Sequence, residues 1–129
     1  MDKIHYYKLL FLVAAIWNWA VAVLFFLIAI VAPTTFETLG MAIPNSMAWF
    51  ESAMTFIGVF GVAFFIASRD PEANRGIAMT GVVEKFLIFT VLATYYFMGE
   101  VTIMVLLMVI VDLAFGFLFL ENVLHSKKP

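Results

Sequence analysis

The sequence predicts an all-α membrane protein: a bundle of four transmembrane helices, with both termini cytoplasmic and a short surface helix in the first outer loop. The composition is far too apolar for a soluble domain. Of 129 residues, 65% are apolar and 12% are charged, whereas soluble domains carry about 25% charged residues. Four apolar runs are long enough to cross a bilayer core, which takes about 20 helical residues. We expect one domain over residues 1–129, with spans at about 6–32, 49–67, 77–97 and 101–120.

The first apolar run is expected to stay in the mature protein as the first span. It extends from Tyr6 to Ala32 and is ended by Pro33. A run of this length exceeds the 7–15 apolar residues of a cleavable signal peptide.

The interval between the first two spans predicts a short helix on the membrane surface. Thr34 and Glu37 have capping-box spacing, and Gly40 is placed to close the helix. Ser46 is placed to cap the second span. The apolar residues of this interval indicate that it lies on the membrane or covers the bundle.

The connector before the third span predicts an early helix start. Asp70, Pro71 and Glu72 match an N-cap, a proline at the first helical position and an acid in the first turn. The third helix is therefore expected to begin here, before it enters the membrane.

Basic residues predict the orientation. The first and third loops contain acids but no Lys or Arg, so all basic loop and terminal residues share one side, which the positive-inside rule makes cytoplasmic. The bacterial-type inner membrane is the expected location. The six residues are Lys3, Lys8, Arg69, Arg75, Lys127 and Lys128.

Three charges fall inside the apolar runs. Glu84 and Lys85 lie in the third run and Asp112 lies in the fourth. A charge at the bilayer centre costs on the order of 2.5–3.5 kcal/mol on insertion scales, so such residues face protein or water and pair. Counted from the same side, Lys85 and Asp112 lie roughly 12 Å and 15 Å deep at the helical rise. We therefore expect an ion pair between them, with either a functional or a structural role.

For two further polar residues, Glu84 and Asn18, the sequence leaves more than one interaction open. Glu84 leaves its helix about 100° away from Lys85 and is not expected to share its position. It extends toward the cytoplasm, pairs with Arg75 or Lys8, or is protonated by its desolvated setting. Asn18 is a candidate member of the same cluster, or bonds to a neighbouring helix as structural support.

Aromatic and small residues complete the candidate site. Trp17 and Trp19 lie at mid-depth, where they form a pocket wall or simply pack. Four glycines mark predicted close helix contacts, namely Gly58, Gly61, Gly81 and Gly116.

The motifs together resemble a widespread group of small four-helix bacterial inner-membrane proteins. The resemblance covers most of the chain. It implies a four-helix fold and a role for Lys85 and Asp112, and it implies no substrate. The matching features are Trp17-Asn18, Pro33 with Phe36 and Leu39-Gly40, Gly58 with Gly61, Asp70-Pro71 through Arg75, Gly81 before Lys85, and Asp112-Leu113 before Phe119.

Several function classes lose support. The chain has no cysteine and a formal net charge of −2, which excludes thiolate sites and gives no case for nucleic acid. It contains no catalytic sequence motif of the common hydrolase or nucleotide-binding types, and no His lies within the spans to ligate haem. We expect no metal and no cofactor.

Three hypotheses remain. The first is a protein that binds or transports a small solute, a proton or a lipid-like ligand, with the bilayer and a second copy of the chain as partners. The second is a non-catalytic accessory subunit of a larger membrane complex. The third is a lipid-modifying enzyme that uses Glu84 or Asp112 as acid or base, although the missing motifs favour a non-enzyme.

Overall fold

The described residues form five helices and no β-strand. The computed structural model describes residues 1–126. Within them α1, α3, α4 and α5 are long and apolar enough to cross a membrane, which confirms the predicted all-helical class with four spanning helices and indicates a multi-pass membrane protein. The helices are α1 (Lys3–Val31), α2 (Thr35–Thr38), α3 (Met47–Arg69), α4 (Arg75–Phe97) and α5 (Ile103–His125).

Polar residues extend the spanning helices beyond the predicted apolar runs. Helix α1 begins at Lys3 because Asp2 caps it, accepting a hydrogen bond from the backbone N–H of His5 at 2.9 Å. This bond is the main cause of the lowered pKa of Asp2. Helix α5 continues to His125, five residues past the predicted end at 120. Apolar character marks where a helix crosses the membrane, whereas hydrogen bonding decides where it ends.

The predicted start of the third spanning helix at Asp70 is wrong, because α4 begins at Arg75. The Asp70 carboxylate accepts a hydrogen bond from the Ala73 backbone N–H at 3.1 Å and so closes a separate turn. Pro71 is buried within that turn. The local signals stabilise a turn that precedes the helix.

The short helix α2 is present, but without the predicted capping box. Thr34 occupies the N-cap position and its side chain makes no capping hydrogen bond. Packing holds α2 instead, since the buried ring of Phe36 lies 5.2 Å from Phe50 and 6.3 Å from Phe25 between ring centres. Ser46 does cap α3 and accepts from the Trp49 backbone N–H at 3.5 Å.

The spanning helices pack as two pairs. Helix α1 lies along α3 and helix α4 lies along α5, while contacts between the two pairs are fewer. The end of the bundle with the N-terminus, the α3–α4 connector and Ser126 is here called the proximal end, and the other the distal end. In the proximal half, Phe11, Phe64 and Phe119 form an aromatic core between the pairs, with ring centres 4.7 Å apart for Phe11 and Phe119 and 4.9 Å for Phe64 and Phe119.

Exposed serine and threonine hydroxyl groups on the spanning helices are satisfied within their own helix. Each donates to the carbonyl oxygen four residues earlier, at 2.7–2.9 Å. A lipid-facing helix must pair its polar groups internally, because hydrocarbon offers no partner. The outer surface of these helices therefore suits a bilayer. The residues are Ser52, Thr55, Thr80, Thr90 and Thr94.

Candidate functional site

A buried lysine lies at the centre of a polar cluster where the two helix pairs meet. The Nζ atom of Lys85 on α4 donates to Asp112 Oδ1 on α5 at 2.7 Å and to Asn18 Oδ1 on α1 at 2.8 Å. Lys85 and Asn18 are each only 1% exposed. The structure thus places Asn18, Lys85 and Asp112 together, and Lys85 contacts both helix pairs.

The surroundings of Lys85 offset the cost of burying its charge. Asp112 supplies a counter-ion, Asn18 a neutral acceptor and Phe64 the face of an aromatic ring 5.5 Å away. A cation over a ring face at this distance is attracted by about 0.5–2 kcal/mol, more where water is excluded. The stem of Lys85 is enclosed by Gly116, where an added Cβ would lie 3.2 Å from the lysine Cβ.

Asp112 has a second partner across the same interface. The indole Nε1–H of Trp17 donates to Asp112 Oδ1 at 3.2 Å. Trp17 lies on α1, so this bond also joins the two helix pairs. The mid-depth position of this tryptophan therefore has a polar explanation, because a buried indole N–H requires an acceptor.

Glu84 does not point away from Lys85, and the expected separation of the two side chains is wrong. Glu84 Oε2 lies 3.6 Å from Lys85 Nζ. The backbone directions differ by about 100°, but the long lysine and glutamate side chains bend toward one another. Neither predicted alternative partner is used: the Arg75 guanidinium donates to the Val123 carbonyl oxygen at 3.2 Å and 3.4 Å, and Lys8 is exposed.

The Glu84 carboxylate is close to a cation and yet lacks a hydrogen bond. Its separation from Lys85 exceeds hydrogen-bond length, and the buried Oε2 atom has no donor among the described residues. The cluster therefore brings two carboxylates to one ammonium. If all three groups are ionised, one negative charge remains uncompensated.

Asn18 and Trp19 connect the cluster to the backbone of α3. Asn18 Nδ2 donates to the Ile57 carbonyl oxygen at 3.1 Å, and Trp19 Nε1 donates to that of Gly58 at 3.2 Å. Asn18 thus uses its oxygen for Lys85 and its amide for α3. Neither Trp17 nor Trp19 borders the two cavities described below.

All four predicted glycines lie where another side chain or helix comes close. An added Cβ at Gly61 would lie 2.5 Å from the Trp19 ring, and at Gly81 it would lie 2.8 Å from Phe64 and 3.0 Å from Phe119. Gly58 is less tight, with 3.7 Å to the Ala22 Cβ. Gly61 on α3 therefore leaves the space that the indole of Trp19, on α1, occupies.

The described residues offer no conventional metal centre. Within residues 1–126, no group of three or more His, Asp or Glu residues is arranged to hold a metal ion. The polar groups available for chemistry in the cluster are two carboxylates, one ammonium and one carboxamide.

Asn122 on α5 is a buried polar residue that sequence reasoning missed. Its side chain is 0% exposed, and neither its Nδ2 nor its Oδ1 atom has a partner within residues 1–126. The available signal was spacing: Asn122 follows the core residues Phe115 and Phe119 by seven and three positions and so shares their helix face.

A second missed feature is a set of polar contacts at the proximal end. Lys3 Nζ is hydrogen-bonded to His125 Nε2, and the Tyr7 hydroxyl donates to Glu121 at 3.3 Å. These bonds join the first turns of α1 to the last turns of α5.

Comparison with known proteins adds no functional information, so the interpretation depends on the geometry of the site. No protein family, curated protein or solved structure matches this chain.

Proposed function

We propose that this chain is a small multi-pass membrane protein whose central cluster binds a proton or another monovalent cation. The observation that carries the proposal is the unequal charge of the cluster, two carboxylates around one ammonium. This proposal is a specific form of the first hypothesis from the sequence, a protein that binds or transports a small ligand. The proposed ligand is now a small cation.

Hydrogen bonding supports the same ligand. An ammonium group has three N–H donors, and Lys85 gives hydrogen bonds to Asn18 and Asp112 but none to Glu84. A proton held by the cluster would supply both the missing positive charge and a donor for the carboxylates. A neutral solute could supply the donor but not the missing positive charge, and an anionic solute would increase the charge imbalance.

Access to the cluster is compatible with a small cation. The side chains of Glu84 and Asp112 are 18% and 17% exposed, against 2% for Lys85. The carboxylates therefore lie at the edge of the cluster and the ammonium lies inside it. Four helices enclose little space, so net transport across the membrane would require a second copy or a larger opening.

Infrared spectroscopy of the reconstituted protein tests the proposal. The C=O stretch of a protonated carboxyl group is distinct from the carboxylate bands, and calorimetric titration with NaCl tests the alternative cation. We expect either a carboxylic acid band or Na⁺ binding, lost in Glu84→Gln and retained in Glu51→Gln, which alters an acid near the distal end. A wild-type protein with neither signal would refute cation binding at the cluster.

We extend the proposal to the placement of the chain in the membrane. Lys3, Lys8, Arg69 and Arg75 lie at or near the proximal end, and Glu37, Glu51 and Glu100 lie toward the distal end. The positive-inside rule then favours a cytoplasmic proximal end in a bacterial-type inner membrane, with α2 at the outer surface. Lys127 and Lys128, which entered the prediction, lie outside the described residues.

An apolar cavity favours a second candidate function, that of an accessory subunit in a larger membrane complex. A space of about 230 Å³ lies between α1 and α3, bordered by Leu27, Met54 and Gly58. A helix of another membrane protein could pack there. Gly58→Leu would fill the space, so loss of a co-purifying partner in this variant, with Gly76→Leu as the control, would support the accessory role. A wild-type protein that purifies in mild detergent as a monomer without a partner would count against the accessory role.

A further inference from the structure

The starting observation is the unpartnered side chain of Asn122. A carboxamide has two N–H donors and an oxygen acceptor, and here both heteroatoms are buried without a partner among residues 1–126. Leaving a buried polar group unpaired costs about 1–3 kcal/mol. Fully buried polar groups of this kind are commonly satisfied by an ordered water molecule.

A cavity lies near this residue at the proximal end, although Asn122 is not among the residues that border it. A space of about 450 Å³ at the proximal end is bordered by Tyr7 of α1, Pro71 of the connector, and His125 and Ser126 at the end of α5. Asn122 precedes His125 by three residues and Ser126 by four, so it lies on their side of the helix, about 5 Å deeper. Its buried amide therefore lies about one helical turn below His125 and Ser126, which border the cavity, and is separated from the cavity itself.

The walls of the cavity suit water. Charged side chains of Asp2, Lys3 and Glu72 border it together with the Tyr7 and His125 rings. Both signs of charge are present, which gives no preference for an anion or a cation. Since liquid water occupies about 30 Å³ per molecule, the space has room for several molecules.

We propose that this cavity is a water-filled vestibule whose water extends about one helical turn below the bordering residues, to a floor at which Asn122 binds a water molecule. The bound water accepts from Nδ2 and donates to Oδ1, which removes both unpaired groups. The vestibule ends there, because the aromatic core of Phe11, Phe64 and Phe119 lies between Asn122 and Lys85. The inference concerns other residues than the cation site and holds or fails independently of it.

Cysteine labelling of the full-length protein in vesicles tests the vestibule. The natural chain contains no cysteine, so a single substitution gives an unambiguous signal. The probe is 2-(trimethylammonio)ethyl methanethiosulfonate, a permanent cation that does not cross the membrane; a thiolate attacks its sulfenyl sulfur, a mixed disulfide forms and methanesulfinate leaves. The variants are Asn122→Cys, Ser126→Cys at the mouth, and Val109→Cys, which is buried in the same helix at 3% exposure.

Water at the floor predicts fast labelling at a site that is formally buried. We expect Asn122→Cys to react at least tenfold faster than Val109→Cys and more slowly than Ser126→Cys, from the same side of the membrane as Ser126→Cys. Equal rates at positions 122 and 109 would overturn the vestibule.

A second variant separates hydration from any folding defect of the cysteine protein. In a dry site, Asn122→Leu would remove two unpaired polar groups and raise the melting temperature. With a bound water, the leucine displaces it and the melting temperature stays equal or falls. A clear rise would overturn the proposal even if the labelling rates agree with it.

Discussion

Lys85 is the one charged residue that is buried within the described part of the chain. Its ammonium is held by one carboxylate, one amide oxygen and one aromatic ring, each from a different helix. A buried ion pair need not add net stability, but removing one partner leaves the other charge uncompensated. The cost of breaking this cluster should therefore exceed the net benefit of forming it.

The first prediction concerns Lys85→Met. The methionine has a similar volume, but Asp112 and Glu84 lose their cation. We expect the free energy of unfolding in detergent to fall by about 3–5 kcal/mol, the usual cost of leaving a buried charge unpaired. Chemical or thermal unfolding followed by circular dichroism measures this. A loss below that of Lys8→Met, an exposed lysine near the proximal end, would contradict it.

The second prediction concerns Trp17→Phe. Phenylalanine cannot donate to Asp112 and lacks the five-membered ring of the indole, so the hydrogen bond and part of the packing are lost. We expect the free energy of unfolding to fall by at least the roughly 0.5–1.5 kcal/mol of a hydrogen bond. The matched variant Ile16→Val alters an exposed neighbour on the same helix and should change stability far less. Equal effects of the two variants would show that the Trp17 hydrogen bond contributes nothing.

At this scale the sequence predicted part of the site. The two ionic partners were predictable because intramembrane charges must pair and depth follows from helical rise. The approach of Glu84 to Lys85 was not, since a backbone angle says little about where two flexible side chains meet. Asn122 was missed because its spacing from Phe115 and Phe119 indicates a buried helix face but identifies no polar partner.

Helix α4 contains one glycine in a tight position and one in an open position. A Cβ atom added at Gly81 would lie 2.8 Å from the Phe64 ring and 3.0 Å from the Phe119 ring, closer than ordinary van der Waals contact. Gly76, earlier in the same helix, has nothing within 4 Å of the position of an added Cβ. The same helix thus offers a tight glycine and an open one.

The third prediction compares Gly81→Ala with Gly76→Ala. The first forces two packed rings to move and should destabilise the protein by about 1–3 kcal/mol. The second should be neutral or stabilise the helix by up to about 1 kcal/mol, because alanine is the better helix former. Melting temperatures of the two variants in one detergent check this. Similar shifts would mean that the helix pairs do not meet closely at Gly81.

Helix type and number were predictable from the sequence, whereas some helix ends were not: the Ser46 cap of α3 was predicted, but the start of α4 was not. Long apolar runs fix the spanning helices, since hydrocarbon leaves the backbone few alternatives. The start of α4 depends on competition between two hydrogen-bonding patterns at Asp70, and its side chain bonds to a turn instead of a helix. Such competition is not visible in residue spacing.

For the molecule as a whole, two helix pairs are joined by an aromatic core in the proximal half and the polar cluster next to it. The pairing of consecutive helices follows from their connections, but the composition of the interface between the pairs does not. Phe residues are spread through the chain, and only the folded arrangement shows which of them face Lys85 and Gly81.

The fourth prediction tests the orientation. In intact bacterial cells, a membrane-impermeant maleimide should label Glu37→Cys near α2 and should label Glu72→Cys in the proximal connector only after the membrane is opened. Both positions are exposed, so reactivity depends on the side of the membrane. The opposite pattern would place the basic end outside the cell.

The most direct test of the central claim, that Lys85 and Asp112 form an interacting pair in the protein interior, is a double-mutant cycle. Free energies of unfolding are measured for the wild type, Lys85→Met, Asp112→Leu and the double variant. We predict a coupling energy of about 0.5–3 kcal/mol, as found for residues in one hydrogen-bonded network, so that the double variant loses less than the sum of the single variants. Losses that add to within about 0.3–0.5 kcal/mol would show that the two side chains act independently, and would contradict the account.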